Sequence, residues 1–221
     1  MKLLAIDTST EACSAALSVN GEVSSCYELA PRRHAELILP MIDKLLSEAE
    51  LTIKHLDGLG FGCGPGAFTG VRIATGVIQG LAISADLPVA PISSLATLAQ
   101  GATDKAECLF TAIDARMNEI YYAIYKVGQD GIVDLNQQEN VVNPINLNIN
   151  IDTICYGIGS GWNTYNEVLA GLLGDQLIGF DGERYPSAVD TIILTEQAFK
   201  NNRVVSADQA LPVYLRDKVT R

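Results

Sequence analysis

The stretch that most constrains the fold runs over residues 58–84, with the sequence GLGFGCGPGAFTGVRIATGVIQGLAIS. Residues 59–63 form a short apolar run that predicts a buried strand. Gly64-Pro65-Gly66 then forces a turn, because proline fixes one φ angle and glycine adopts dihedrals that are closed to other residues. Residues 67–84 predict a helix that is apolar nearly all round, and such a helix is expected to be buried on two sides.

A projection at 100° per residue divides this helix into two faces. The face of small residues comprises Gly66, Gly70, Ala74, Gly76, Gly80 and Ser84, and the opposite face comprises Phe68, Val71, Thr75, Ile78 and Ala82. The larger residues can cover the helix's own sheet, whereas the small residues let a second helix approach closely. That second helix belongs either to the same domain or to another chain, and the residues alone leave both possibilities open.

Composition excludes several classes of function. The chain has 221 residues, enough for one large domain or two lobes, and its net charge of −11 disfavours autonomous binding to tRNA or DNA. The five cysteines are separated in sequence and include no C-x-x-C pair, which predicts reduced, buried thiols in a cytoplasmic protein rather than a disulfide framework or a zinc site. A secretory signal is not predicted, because the apolar run at residues 3–6 is too short before Asp7. A membrane span is not predicted either, because the longest uncharged stretch, residues 87–103, is broken by two prolines and is too short.

The chain opens with a strand that ends in a carboxylate. Lys2–Asp7 is followed by the polar turn Thr8-Ser9-Thr10, and Asn20-Gly21 further on marks a hairpin. Residues 109–114, LFTAID, echo the LLAID of the first strand and also end in Asp. This echo indicates two duplicated lobes.

The polar link at residues 103–105 predicts the lobe boundary, giving a first lobe of residues 1–104 and a second of residues 105–221. The Asn-rich stretch 134–152 has weak periodicity and predicts an irregular or edge segment that carries no chemistry. The motif PVYLR, residues 212–216, is expected near an exposed tail.

A strand-ending Asp with a Thr/Ser turn is typical of the first phosphate loop of the actin-like ATPase fold. In such a loop Thr8 and Ser9 would face phosphate, and Asp7 would hold a metal ion through water; alternatively, Asp7 and Thr8 merely cap a strand end. A pair formed by Asp7 and Asp114 across a cleft would be typical of a small-molecule kinase. Asp114, however, runs into Arg116 instead of a glycine-rich second phosphate loop, which weakens the kinase hypothesis.

No hydrolytic or metal-binding motif is present in the sequence. The two histidines are far apart in sequence and no G-x-S-x-G or H-E-x-x-H occurs, so neither a catalytic residue nor a metal ligand is predicted. His34 lies near the start of an amphipathic helix predicted over residues 32–48 and is expected to be solvated or to cap it.

Five motifs carry a family resemblance. They occur in the order AIDTSTEACSAAL, PRRHAELILPMI, GCGPGAFTGVRI, IDARMNEIYYA and PVYLR. Together they resemble the TsaB (YeaZ) family, the bacterial subunits of the machinery that makes threonylcarbamoyladenosine beside the tRNA anticodon. The resemblance implies an α/β actin-like (ASKHA, RNase H-like) fold with two lobes, the second reduced.

The resemblance also implies a non-catalytic role in the cytoplasm. Members of the family pair with their catalytic paralogue TsaD, the ATPase TsaE joins them, and TsaC supplies threonylcarbamoyl-adenylate. Alone, they form homodimers through the same surface. A cofactor is not expected on the isolated chain, although ATP or ADP could bind at a composite interface with TsaD and TsaE. The alternative is a small-molecule kinase or ATPase of the same fold.

The resemblance places the pairing surface on the two helices predicted in the first lobe. The residues expected there are Arg33, His34, Leu37, Ile38, Met41, Leu45, Phe68, Gly70, Val71, Ile73, Ala74, Val77, Ile78 and Leu81. A large residue at Gly70 or Ala74 is expected to abolish pairing and leave the monomer folded. Where TsaD has metal-binding histidines, this chain has Ser94 and Leu98, and neither ligates iron or zinc well. The cleft residues Asp7, Thr8, Ser9 and Asp114 would then be vestigial.

Overall fold

The computed structural model describes residues 1–149 and 151–216, and it divides the chain into two units. The first unit contains Met1–Thr97 and Pro186–Val213, and the second contains Leu98–Tyr185 and residues 214–216. This division differs from the predicted continuous lobes 1–104 and 105–221, because residues 186–213 return to the first unit. Asn150, in the predicted irregular segment, and residues 217–221 lie outside the described residues.

The first unit is built on a five-stranded sheet. Its strands are β1 (Lys2–Asp7), β2 (Ala12–Val19), β3 (Glu22–Leu29), β4 (Gly58–Gly64) and β5 (Val89–Ser93). They lie in the order β3-β2-β1-β4-β5, with β1, β4 and β5 parallel and β2 and β3 antiparallel to their neighbours. The predicted hairpin is confirmed, since Asn20 and Gly21 connect β2 to β3 with φ angles of 54° and 95°.

Helices cover both faces of this sheet. The α-helices of the described residues, in both units, are α1 (His34–Glu48), α2 (Phe68–Ala85), α3 (Ser94–Gln100), α4 (Ser160–Leu173) and α5 (Ala188–Lys200). Leu4 and Ile6 of β1 belong to the core beneath α1 and α2, whereas Leu3 and Ala5, on the opposite face, pack with α5. Side chains alternate across a strand, so β1 is buried on both sides.

Alternate glycines on β4 make room for α5. A Cβ atom at Gly58 would overlap the ring of Phe199, and one at Gly60 would overlap the side chain of Thr195, both on α5. Leu59, Phe61 and Cys63, which alternate with these glycines, point into the core beneath α1 and α2. Glycine in a strand interior commonly marks such a close approach.

The second unit repeats the strand order of the first. Its strands are β6 (Cys108–Arg116), β7 (Glu119–Val127), β8 (Val133–Val142), β9 (Cys155–Ile158) and β10 (Leu177–Asp181). They lie in the order β10-β9-β6-β7-β8, with β6, β9 and β10 parallel and β7 and β8 antiparallel to their neighbours. The duplication predicted from the LFTAID echo is therefore confirmed. This unit is reduced in its helices: among the described residues, only a 3-10 turn at Pro144–Asn146 lies between β8 and β9.

Length and composition alone would let α2 cross a membrane, the one helix of the described residues that meets this test. One third of the helix is buried, on the face that packs over β4. The rest of its surface is largely apolar and lies outside the core.

Candidate functional site

The inner face of α2 differs from the predicted one. The buried residues are Gly70, Val71, Ala74, Thr75, Ile78 and Ala82. The sheet-facing prediction is confirmed for four of these residues but is wrong for Phe68, which is 43% exposed with the Arg72 guanidinium 3.6 Å from its ring centroid. Gly70 and Ala74 also belong to the inner face. The projection missed this, because it orders residues around the helix axis but does not fix which side of the helix meets the sheet.

Gly70 is held against the turn that follows β1. The Thr8 hydroxyl donates a hydrogen bond to the Gly70 carbonyl oxygen at 2.8 Å, and the amide of Ala67 donates to the Ser9 carbonyl oxygen at 2.7 Å. A Cβ atom at Gly70 would overlap the carbonyl oxygen of Thr8. The expectation that a large residue here would spare the monomer is therefore wrong.

The outer surface of α2 carries small and aliphatic residues, which we call the outer stripe: Ile73, Gly76, Val77, Gly80 and Leu81. A Cβ atom at Gly76 or Gly80 would meet no other atom within 4 Å. Ile73, Val77 and Leu81 are half-buried at the margin of the core. Another helix could therefore approach α2 closely along this stripe.

The structure divides the predicted pairing residues into two groups. Buried in the chain's own core or beneath the helices are His34, Ile38, Met41, Leu45, Gly70, Val71, Ala74 and Ile78, whereas Arg33, Leu37, Phe68, Ile73, Val77 and Leu81 keep exposed surface. The first group positions the helices and offers no surface for a partner. The expectation of a solvated or capping His34 is wrong: this residue is 7% exposed and its Nε2 atom makes no hydrogen bond.

In the turn after β1, Ser9 donates its hydrogen bonds to Asp7 of the same turn. Asp7 Oδ1 accepts hydrogen bonds from the Ser9 amide at 2.8 Å and the Ser9 hydroxyl at 2.7 Å, whereas Asp7 Oδ2 has no partner. Asp7, Thr8 and Ser9 are all fully buried. Burial raises the pKa of the Asp7 carboxyl to about 6, although the Ser9 hydrogen bonds and the charge of His34 partly oppose the shift.

This turn does not fit a phosphate group. The hydroxyls of Thr8 and Ser9 are both donors inside the protein, and the Ser9 carbonyl accepts from the first turn of α2. These hydroxyls therefore do not face an open site, in contrast to the expectation for a phosphate loop. The alternative interpretation, a capped strand end, describes the contacts of Asp7 and Thr8.

At the corresponding position of the second unit, the Asp114 carboxylate also bonds to a residue of its own turn. Asp114 Oδ1 accepts from the Arg116 amide at 2.7 Å, and Oδ2 lies 3.3 Å from the Arg116 guanidinium. Arg116, Met117 and Asn118 all have positive φ angles, between 56° and 61°, in a turn whose side chains stand where a phosphate loop would have glycine. Because Asp7 and Asp114 belong to different units, their pairing across a cleft stays a prediction.

Ser94 and Leu98, at the positions compared with the metal-binding histidines of TsaD, lie on α3 and are buried. The Ser94 hydroxyl makes no hydrogen bond. Within residues 1–149 and 151–216, no group of three or more His, Cys, Asp or Glu side chains could hold a metal ion.

Sequence reasoning missed the role of Arg216, at the end of the PVYLR motif. Its guanidinium donates to the Ala115 carbonyl oxygen at 3.1 Å and forms a short ion pair with Glu119. The Arg216 side chain is only 16% exposed, so it lies against the β6–β7 hairpin and not in an exposed tail. The sequence signal that could have indicated this role is the position of an arginine at the end of a short apolar motif.

We expect Arg216→Ala to lower the free energy of unfolding by about 2 kcal/mol, because it leaves the half-buried Glu119 carboxylate and the Ala115 carbonyl without their donor. Arg216→Lys should restore only part of this loss, since an ammonium group cannot reproduce the planar fork of the guanidinium. Urea unfolding measures both, with Arg203→Ala at an exposed position as the control. Equal stability of the Arg216→Ala and Arg203→Ala variants would contradict this role.

The duplicated sheet order places the chain in the actin-like ATPase class of α/β proteins. The family model for TsaD, tRNA N6-adenosine threonylcarbamoyltransferase, matches residues 27–161. A solved structure of YeaZ from Pseudomonas aeruginosa is 44% identical with a TM-score of 0.90, covering 97% of this chain and 99% of its own.

Two curated relatives that match this chain over almost their full length share the name TsaB. The tRNA threonylcarbamoyladenosine biosynthesis protein TsaB of Escherichia coli (strain K12) is 40% identical over 99% of this chain and 96% of its own length. The TsaB protein of Haemophilus influenzae is 40% identical over 100% of this chain and 95% of its own. The chain belongs to the TsaB family.

Proposed function

We propose that this protein is a non-catalytic subunit of the machinery that makes threonylcarbamoyladenosine on tRNA, and that it pairs with TsaD through the outer faces of α1 and α2. The observation that carries the proposal is the outer stripe of α2. TsaE joins the pair, and in the absence of TsaD the same surface holds two copies of the chain together. The TsaB name of the relatives supports the pathway.

The composition of the outer stripe supports docking of a helix. The helix is largely apolar, with Arg72 and Gln79 as its strongly polar residues, yet only about a third of it is buried within the chain. Gly76 and Gly80 lie one turn apart and face open space, beside the aliphatic residues Val77 and Leu81. Burial of this surface against a partner would remove apolar area from water, which contributes about 25 cal/mol of favourable binding free energy per Å².

The exposed residues of α1 extend this surface. Leu37 is half-buried at the margin of the same core as Val77, and Arg33 is exposed beside it on the helix. Arg33 forms ion pairs with Glu28 and Glu36, which supply a charged rim. An apolar centre with a charged rim is the usual composition of a protein–protein interface.

The turn after β1 supports a non-catalytic role. Catalysis by an ATPase of this class requires free donors and a carboxylate near the phosphates, whereas Thr8 and Ser9 use their hydroxyls internally and Asp7 is fully buried. The net charge of −11 further supports a subunit that leaves tRNA contact to its partners.

Val77→Asp tests the docking surface, because a carboxylate would be buried in the centre of the stripe. We expect the dissociation constant for TsaD to rise on the order of 100-fold, and circular dichroism checks that this half-buried position still allows the chain to fold. Size-exclusion chromatography with light scattering, on the chain alone and mixed with TsaD, measures pairing. Val189→Asp is the matched control, since Val189 is a 38% exposed valine on the helix of the opposite sheet face.

Two outcomes would contradict the proposal. If the Val77→Asp variant pairs as the unchanged chain does, the docking surface lies elsewhere. If the purified chain turns over ATP and loses that activity on Asp7→Ala, a small-molecule kinase or ATPase is favoured. A nucleotide at a composite interface stays a prediction, tested by comparing ADP retention by the chain and by its complex with TsaD and TsaE.

A further inference from the structure

Two of the five cysteines lie side by side in the second sheet. Cys108 is the first residue of β6 and Cys155 the first residue of β9, and the two are directly opposite in the register of these parallel strands. Both side chains point into the core that contains Phe110 and Trp162. Their sulfur atoms are 2.8 Å apart, and both are free thiols.

The backbone beneath these cysteines suits a covalent link. Adjacent strands lie about 4.8 Å apart, and disulfides join Cα atoms separated by about 4.4–6.8 Å. Because the sulfur atoms already touch, a bond between Cys108 and Cys155 needs a side-chain adjustment and no change of register. The remaining cysteines, Cys13, Cys26 and Cys63, belong to the first unit.

The surroundings distinguish the two thiols. The hydrogen bond from Cys155, a second one from Thr153 and the charge of Lys126 outweigh burial and lower the pKa of Cys108 to about 7. The same contact and burial raise the pKa of Cys155. The directions of these shifts favour Cys108 as the nucleophile, which leaves Cys155 to resolve an oxidised Cys108.

We propose that Cys108 and Cys155 form a reversible dithiol–disulfide site that reacts with hydroperoxides. The Cys108 thiolate attacks one oxygen of hydrogen peroxide, the O–O bond breaks, and the hydroxide that leaves takes up a proton to become water. The product is a sulfenic acid on Cys108.

The second step closes the disulfide. Cys155 loses its proton and attacks the Cys108 sulfur, the S–O bond breaks, and the departing hydroxide takes up that proton as water. Overall, two thiols lose two electrons and two protons, and one peroxide becomes two waters. A dithiol reductant reverses the reaction by thiol–disulfide exchange.

The test treats the full chain with hydrogen peroxide, denatures it, and counts the thiols that react with N-ethylmaleimide by intact mass. We expect three reactive thiols in place of five, a mass loss of two hydrogens, and a peptide joining Cys108 to Cys155. Dithiothreitol should restore all five. Trp162, the single tryptophan of the chain, packs in the same core, so its fluorescence should change with oxidation and recover on reduction.

Two variants separate the steps. In Cys155→Ser, oxidation should stop at a Cys108 sulfenic acid that dimedone labels, whereas Cys26→Ser, which changes a half-buried cysteine of the first unit, should leave the Cys108–Cys155 link unaffected. If Cys155→Ser folds poorly, the peptide map of the unchanged chain still shows whether peroxide joins Cys108 to Cys155. Five reactive thiols after peroxide, or oxidation confined to Cys26, would overturn the proposal.

Discussion

Gly70→Leu should prevent recovery of folded protein, whereas Gly80→Leu should leave the fold intact and act only on pairing. At Gly70, any side chain would overlap the Thr8 carbonyl oxygen, and the backbone of the β1 turn cannot move without breaking the hydrogen bond between Thr8 and Gly70. Overpacking against backbone costs about 3 kcal/mol or more, a large part of the stability of a typical domain.

Gly80 offers the opposite environment on the same helix. A side chain there projects into open space, and leucine is a better helix former than glycine by about 0.8 kcal/mol. We therefore expect a slightly higher thermal midpoint for Gly80→Leu and a loss of pairing with TsaD, measured by circular dichroism and light scattering. A Gly70→Leu chain with unchanged stability would contradict the packing of α2 against the β1 turn.

Asp7→Asn should remove a pH-dependent loss of stability. The pKa of Asp7 is about 6 in the folded protein and 3.8 without the fold, so the folded state binds more protons than the unfolded state between these values. Stability therefore falls as the pH rises through this window and stays reduced above it. The difference corresponds to about 3 kcal/mol at neutral pH, at 1.36 kcal/mol per pKa unit.

The measurement is urea unfolding of both chains between pH 4 and pH 8. The stability of Asp7→Asn relative to the unchanged chain should rise by about 2.5 kcal/mol from pH 4 to pH 8, because part of the full difference already develops below pH 4. Asp43→Asn, at an exposed position of α1, controls for the loss of one negative charge. A stability difference that stays constant with pH would contradict the burial of a titrating Asp7.

Local sequence signals correctly predicted those elements whose conformation depends mainly on their own residues. The Asn20-Gly21 hairpin needs positive φ angles that these residues adopt readily, and both occur. The LFTAID echo predicted a second sheet, because a repeated buried strand requires a repeated set of neighbours. β10 was missed, since its apolar run is short and Gly179 interrupts it.

Features set by distant contacts could not be predicted in the same way. The glycines of β4 read as part of an apolar run, and only α5, more than a hundred residues later, shows that they make room for a helix. The division of α2 into inner and outer faces depends on the β1 turn, and the position of Arg216 depends on the β6–β7 hairpin. The Asn-rich stretch differs from these features, because Val133–Val142 forms an edge strand, one of the two alternatives predicted for it.

The return of residues 186–213 to the first unit bears on how the protein is made. A ribosome synthesises β1 to β5 first, and one face of that sheet, with Leu3 and Ala5, stays bare until α5 has emerged. The whole second unit is synthesised in that interval, and exposed apolar surface on a nascent chain promotes aggregation. The first unit, in which Gly58 and Gly60 leave room for α5, is therefore completed only after the intervening second unit and α5 itself have been synthesised and α5 can cover β1.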